Sequence, residues 1–574
     1  MITQTRIDDF HPSKAQFSFE DRISFLIKVR RHHQQVLAKL RIYYLHELIE
    51  EQEMNLSENN VEEIVLTRKK LLPGGYGAVL ELWNASEELV CTAQTAFDVV
   101  NHWSEAPRYG FLSDFHPGQL GKTDDIDFLN SHHINVVQFY DWMYRHDQLL
   151  HPDKRQYTDP MERELSLDVV QEKIKLAHEK GMKTMAYGAM YASLKDFYEE
   201  HKEWALYQND GLPYTLADTF YIMDISEDSP WNNVIIPELK QVIEWGFDGI
   251  HLDQYGFPKK ALRRKDGRKE IVDLSECFTP FINRTVTALK QANEEAGLIF
   301  NNVSNFPTYA TAQSDQDLVY IEVWSPINSF RDLKLLMDEA KSYADYKQVI
   351  LAAYLGPFNP NSETFDQVKA ENGALTTMAT IFANGGFHLL IGEHYNVLTE
   401  GYYPNYGEMS LSFRQEIKHY YDFIVRYHDL LYNKELIDLS FTHTGGYVSE
   451  IGRDNEYEFE CGDVVFAPHG HLGTVWTIIK ENDKYLVIHF INLCGFNNDG
   501  WNEVKESRPN RIEGISAKVL MNEQLGGVYW ASPDEKDISP QSLETKRVRG
   551  TNGYVYEVVL PSLDVWSMIY FVKA

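Results

Sequence analysis

GFDGIHLDQYG, residues 246–256, sets an apolar run behind a glycine and closes it with an acid. Read as a strand, it turns Ile250 and Leu252 to one face and Gly249, His251 and Asp253 to the other, so Asp253 emerges at the strand's carboxyl end. Just before it, Ile235, Leu239 and Val242 keep the three- and four-residue spacing of a helix that stops at Gly246. A helix feeding a short buried strand is part of a repeating βα unit, and the same pattern recurs to either side.

Working outward, the runs 108–115, 135–142, 183–192, 248–256, 298–305, 318–324, 348–355 and 387–395 read as eight strands. Between them, one helix runs from a Ser166 cap through Val170, Ile174 and Ala177 to Gly181, and in another Ile282, Val286 and Leu289 lead to Gly297. Eight such units predict a central (β/α)8 TIM barrel. After about Asn433 the period changes to two: 474–480 and 485–490 flank the tight turn 481–484, which predicts a β-rich carboxyl-terminal domain. The amino-terminal hundred residues admit two readings, because 22–32 alternates weakly whereas 34–53 also fits an amphipathic helix. Gly74-Gly75-Tyr76-Gly77 reads as a tight turn.

A chain of 574 residues exceeds what one core organises, so flanking domains are expected. With 43% hydrophobic and 24% charged residues and no bilayer-length apolar run, it is expected to have no membrane partner. A net charge of −31 repels phosphate backbones, so no nucleic-acid partner is expected, whereas a neutral glucan is indifferent to it. MITQTRIDDFHPSKAQFSF lacks a basic n-region and an apolar h-region, which predicts a cytoplasmic protein, or a secreted one if a leader has been trimmed. Cys91, Cys277, Cys461 and Cys494 lack CxxC spacing and read as buried thiols. GxGxxG after a strand, GxxxxGK[ST], GxSxG and HExxH are all missing, so no cofactor and no metal are expected. Oligomeric state is left open.

In parallel barrels the reactive groups sit where strands end, which directs attention to Asp253 and to Glu322, the lone acid inside the apolar run DLVYIEVWSP, 317–326. Glycosidic hydrolysis by two carboxyls needs one anion near the anomeric carbon and one proton near the leaving oxygen, and these two acids can supply them from the fourth and sixth strands. Aromatic rings stack on the apolar faces of sugars, and Tyr140, Trp142, Tyr187 and Tyr191 fall at predicted strand ends. So do Trp324, Tyr354 and Tyr395. Asp141, His251, Gln254, Asn302, Glu393 and His394 are the polar candidates for the same substrate-binding rim. Glu393-His394 is not expected to hold a metal, since neighbours on a strand face opposite ways.

TAFDVVNHWSEAPRYGFLSDF (95–115), GFDGIHLDQYG and YIEVW (320–324) resemble glycoside hydrolase family 66, the dextranases and cycloisomaltooligosaccharide glucanotransferases. FHPSKAQF, 10–17, is similar to that family's opening strand. The resemblance implies an immunoglobulin-like β-sandwich over 1–104, the catalytic barrel over 105–432 and a Greek-key β-domain over 433–574. It further implies Asp253 as nucleophile, Glu322 as acid/base, and dextran or isomaltooligosaccharides as substrate, cut internally at α-1,6 bonds with retention of configuration. Cyclising members carry a carbohydrate-binding module inserted after strand seven, which the short passage from 353–356 into the next helix lacks. A dextranase-like hydrolase is therefore expected. The alternatives are a transglycosylase making cyclic or longer isomaltooligosaccharides on the same site, and a non-catalytic glucan-binding protein.

Overall fold

The computed structural model describes residues 5–30, 36–56, 61–68, 70–344, 347–444, 451 and 455–574. Its centre is a parallel sheet of β1 (Tyr109–Leu112), β2 (Val136–Phe139), β3 (Lys183–Ala189), β4 (Gly249–Asp253), β5 (Gly297–Val303), β6 (Leu318–Glu322) and β7 (Val349–Ala352), each paired with the next. The eighth run divides its pairing: Phe387–His388 joins β7, and Gly392, a few residues on, pairs with Phe111 of β1. The sheet thus curls until its first and last strands share one segment, and all eight predicted strands are present in it.

Helices cover the outer face. Leu167–Glu179 and Asn232–Trp245 end just before Gly181 and Gly246, both at positive φ, which an L side chain adopts only at a cost. Leu274–Ala292, Phe330–Tyr343 and Gln367–Ala383 follow β4, β6 and β7. Ser166 occupies the cap position as predicted, but its side chain makes no capping hydrogen bond.

Two small sheets precede the central one, of three and five strands. The helix alternative for 34–53 fails: Leu37–Tyr44 and Glu47–Asn55 pair as antiparallel strands, while 31–35 lie outside the described residues. The pattern was ambiguous because Leu37, Leu40, Tyr44 and Leu48 fall at helical spacing, yet the residues buried deepest, Ala38, Leu40 and Ile42, alternate. Gly74–Gly77 is not a tight turn. It opens the strand Gly74–Trp83, and its glycines let the helix Leu411–Arg426 pack close, since a Cβ on Gly75 would stand 2.2 Å from the Val425 carbonyl oxygen. The carboxyl-terminal sheets enclose a separate core. On the strand Thr474–Glu481, Trp476 and Ile478 face the central core whereas Val475 and Ile479 face the second, so a two-residue period buries both faces. The four cysteines are only partly buried, which corrects the expectation of buried thiols.

Asp98, on the strand Leu89–Val100, fastens the amino-terminal sheets to β1. Arg108 donates to both its oxygens at 2.7 Å and 3.0 Å, and both residues are buried. Burial alone would raise the Asp98 pKa, but the Arg108 guanidinium outweighs it and holds the carboxyl below its ordinary value. A folded-state pKa below the unfolded one contributes stability above about pH 4, and that contribution is lost as pH falls towards the lowered value. Asp98→Ala strands a buried guanidinium, and denaturant titration at neutral pH is expected to show a loss of about 3–5 kcal/mol.

Candidate active site

Alternation along the central strands decides what meets inside the sheet. Tyr109, His251 and Tyr320 form an inner layer: His251 Nδ1 lies 2.9 Å from the Tyr109 hydroxyl, and its ring sits edge-on to Tyr320. One step nearer the carboxyl edge, on the same faces of β4 and β6, come Asp253 and Glu322. Asn301 of β5 stands between them. Its Nδ2 donates to Asp253 Oδ1 at 2.7 Å and to Glu322 Oε2 at 3.1 Å. Because one nitrogen serves both, the two oxygens it binds cannot be further apart than those bonds laid end to end.

Each acid has a second donor. The Tyr187 hydroxyl donates to Asp253 Oδ2 at 2.7 Å, and the Tyr354 hydroxyl donates to Glu322 Oε1 at 3.1 Å. Burial raises both pKa values, and repulsion from Glu322 helps push Asp253 up to about 7. The shorter donor bonds fall on Asp253, and such donors favour the ionised form of the carboxylate they serve.

A segment after the eighth run covers the pair. A Cβ on Gly401 would lie 3.0 Å from Glu322 Oε1, so a larger residue there would crowd the acid. The Gly401 carbonyl accepts from the Tyr140 hydroxyl at 3.2 Å, and Tyr403 stacks on Tyr140 with centroids 4.2 Å apart. Tyr403 also lies 3.1 Å and 3.4 Å, hydroxyl to hydroxyl, from Tyr320 and Tyr354. Asp141 sits beside this wall at φ 46°, 3.6 Å from Arg163, and burial raises its carboxyl to about 6. Trp324 is 41% exposed, its ring edge-on to Tyr354.

Tyr140, Asp141, Tyr187, Trp324 and Tyr354 thus gather with the two acids. The eight other predicted binding residues make contacts within the scaffold. The Trp142 indole donates to the Tyr187 carbonyl at 3.2 Å and stacks on Trp245 beneath the helices. Tyr191 bonds the backbone of Tyr255 and Phe257. Gln254 donates to the Asn301 and Phe306 carbonyls. His251 is buried, and burial lowers its pKa to about 3, leaving it neutral below the acids. Asn302 faces outward, donating to the Tyr320 carbonyl and accepting from Thr311; its neighbour Asn301 points inward, so the expectation missed by one residue and therefore by one face.

Glu393 accepts from Ser113 N, Ser113 Oγ and Asp114 N, which ties both its carboxylate oxygens to the end of β1. Residues 393–395 form a turn, not a strand, so the face argument applied to Glu393-His394 does not hold. His394 lies 3.5 Å from Asp114, whose hydrogen bond raises its pKa, and Tyr395 packs on Phe128 and under the Arg414 guanidinium. Among the described residues no cluster of three or more His, Cys, Asp or Glu has the geometry of a metal site, and no helix is long and apolar enough to cross a membrane. Asn301, Gly401 and Tyr403 went unseen in the sequence. The inward face of β5 could have indicated Asn301; the other two lie on a segment without strand periodicity.

A family model described as glycosyl hydrolase family 66 matches residues 12–570. Two cycloisomaltooligosaccharide glucanotransferases of Niallia circulans are each 24% identical to the chain, aligned over 93% and 84% of it. The chain spans 68% and 63% of their respective lengths. The crystal structure of a Paenibacillus sp. cycloisomaltooligosaccharide glucanotransferase complexed with cycloisomaltoheptaose superposes with a TM-score of 0.86 at 22% identity, covering 98% of this chain and 99% of that one. That likeness is one of fold.

Proposed function

The chain belongs to glycosyl hydrolase family 66, and from that premise we propose that it cleaves α-1,6-linked glucan by double displacement and passes the glucosyl unit to a sugar or to water. Asp253 attacks the anomeric carbon, and Glu322 protonates the departing oxygen and then deprotonates the acceptor. The Asn301 amide bridging the two carboxyls carries this reading, since it supports the short spacing that a covalent intermediate requires. We take Tyr140, Asp141, Tyr187, Trp324 and Tyr354 as the sugar-binding surface. The same premise leads us to read the curled sheet as a (β/α)8 barrel, with immunoglobulin-like and Greek-key flanks and boundaries near 104 and 432.

The relatives' names favour transfer over hydrolysis as the main outcome. The passage from β7 to the next helix favours linear over cyclic products, because only residues 353–366 separate Ala352 from Gln367 and leave no space for an inserted module. A time course on isomaltooligosaccharides, read by NMR for anomer and by mass for ring closure, tests both points. α-configured linear products are expected at first; β-configured ones would overturn the double displacement.

The pH profile gives a further test. The Tyr354 hydroxyl favours ionised Glu322 and so lowers its pKa. Tyr354→Phe removes that donor, the Glu322 pKa rises, and the protonated form persists to higher pH. The alkaline limb of kcat/KM is expected to move upward while the acid limb stays in place.

A further inference from the structure

We propose that residues 498–503 of the carboxyl-terminal domain complete a groove on the Glu322 side of the site, and that this groove holds the sugar that leaves or attacks. The inference rests on the double-displacement reading above. A cavity of about 750 Å³ opens beside Trp324 and Tyr354 and is closed on its far side by 498–503. Its inner end reaches the chemistry through Tyr354, whose hydroxyl donates to Glu322 Oε1 at 3.1 Å. The group that protonates a leaving oxygen must lie beside the leaving sugar. Neither Asp253 nor the two side chains that donate to it, Tyr187 and Asn301, line this cavity. Glu322 does not line it either, but the cavity's link to the pair runs through Tyr354, the donor to Glu322, which puts it on the acceptor side.

Hydrogen bonds tie the loop to segments at the strand ends. Phe330 N donates to the Asp499 carbonyl at 2.9 Å, Trp501 N to the Asn328 carbonyl at 3.1 Å, and the Trp501 indole to the Ile327 carbonyl at 2.8 Å. Gly356 N donates to Asn502 Oδ1 at 2.8 Å. The exposed side chains of Asp499 and Glu503, whose charges act on nearby Lys505, share the cavity with the exposed ring of Trp324. An aromatic face together with exposed carboxylate acceptors suits a ring that is apolar on its faces and carries hydroxyls at its edge. No lysine or arginine lines the cavity, so a neutral glucosyl oligomer fits it and an anion does not.

The test compares two substrates in the double variant Asp499→Ala/Glu503→Ala. Isomaltohexaose spans both sides of the cut, whereas isomaltosyl fluoride leaves only fluoride on the acceptor side. The ratio of kcat/KM for the hexaose to that for the fluoride is expected to fall about tenfold, the effect of losing hydrogen bonds to one sugar. Transfer product per fluoride released, with isomaltotriose added, is expected to fall with it. An unchanged ratio in a variant of wild-type Tm overturns the groove assignment alone. A wild-type enzyme that turns over neither substrate overturns the double-displacement reading, and the groove with it.

Discussion

Asp253→Asn is expected to lower kcat on isomaltooligosaccharides by about four orders of magnitude or more, because no other group near the anomeric carbon can form the covalent intermediate. The amide is nearly isosteric, and the variant is expected to fold and to bind substrate, so the loss should appear in kcat and not in KM. Smaller still, Asp253→Ala leaves a gap beside Tyr187 and Asn301. Azide filling that gap is expected to attack from the nucleophile's side and give a β-glucosyl azide from an α-glucosyl fluoride. Near-normal turnover of either variant would remove Asp253 from the reaction.

Glu322→Gln separates proton delivery from bond breaking. The amide still accepts from Asn301 but has no proton to give, so a sugar leaving group, which departs as a poor anion, is expected to react about a thousandfold more slowly or worse. Fluoride needs little protonation, and the first step on a glucosyl fluoride is expected to keep much of its rate. Comparison of the two substrates by stopped assay checks this. Equal loss on both would mean that Glu322 places the substrate and does not protonate it. The alkaline limb of the pH profile is also expected to vanish, since the group that produces it no longer titrates.

Much of the fold could be read in the sequence because its strands are short, apolar and introduced by helices that stop at glycine; Gly181 and Gly246 do so at positive φ. Asp253 and Glu322 were legible for a related reason: a carboxylate closing an apolar strand is a local anomaly that needs no partner to be noticed. Asn301 was not, since Asn301 and Asn302 are identical in type and only the register with Tyr320 tells inward from outward. Tyr403 and the loop carrying Asp499 reach the site from far along the chain, through contacts no local period encodes. Glu393 looked like a rim acid, and only its three bonds to Ser113 and Asp114 reveal a clasp closing the end of the sheet onto β1.

The bond between Asp98 and Arg108 also bears on how the protein is made. A polypeptide emerges from the ribosome amino end first, so the strand bearing Asp98 is available before β1 has any neighbour in the central sheet. The counterion for Arg108 is thus already synthesised when the sheet begins to assemble, and a shortened gene starting at residue 105 would deliver that guanidinium to a dry interior without it.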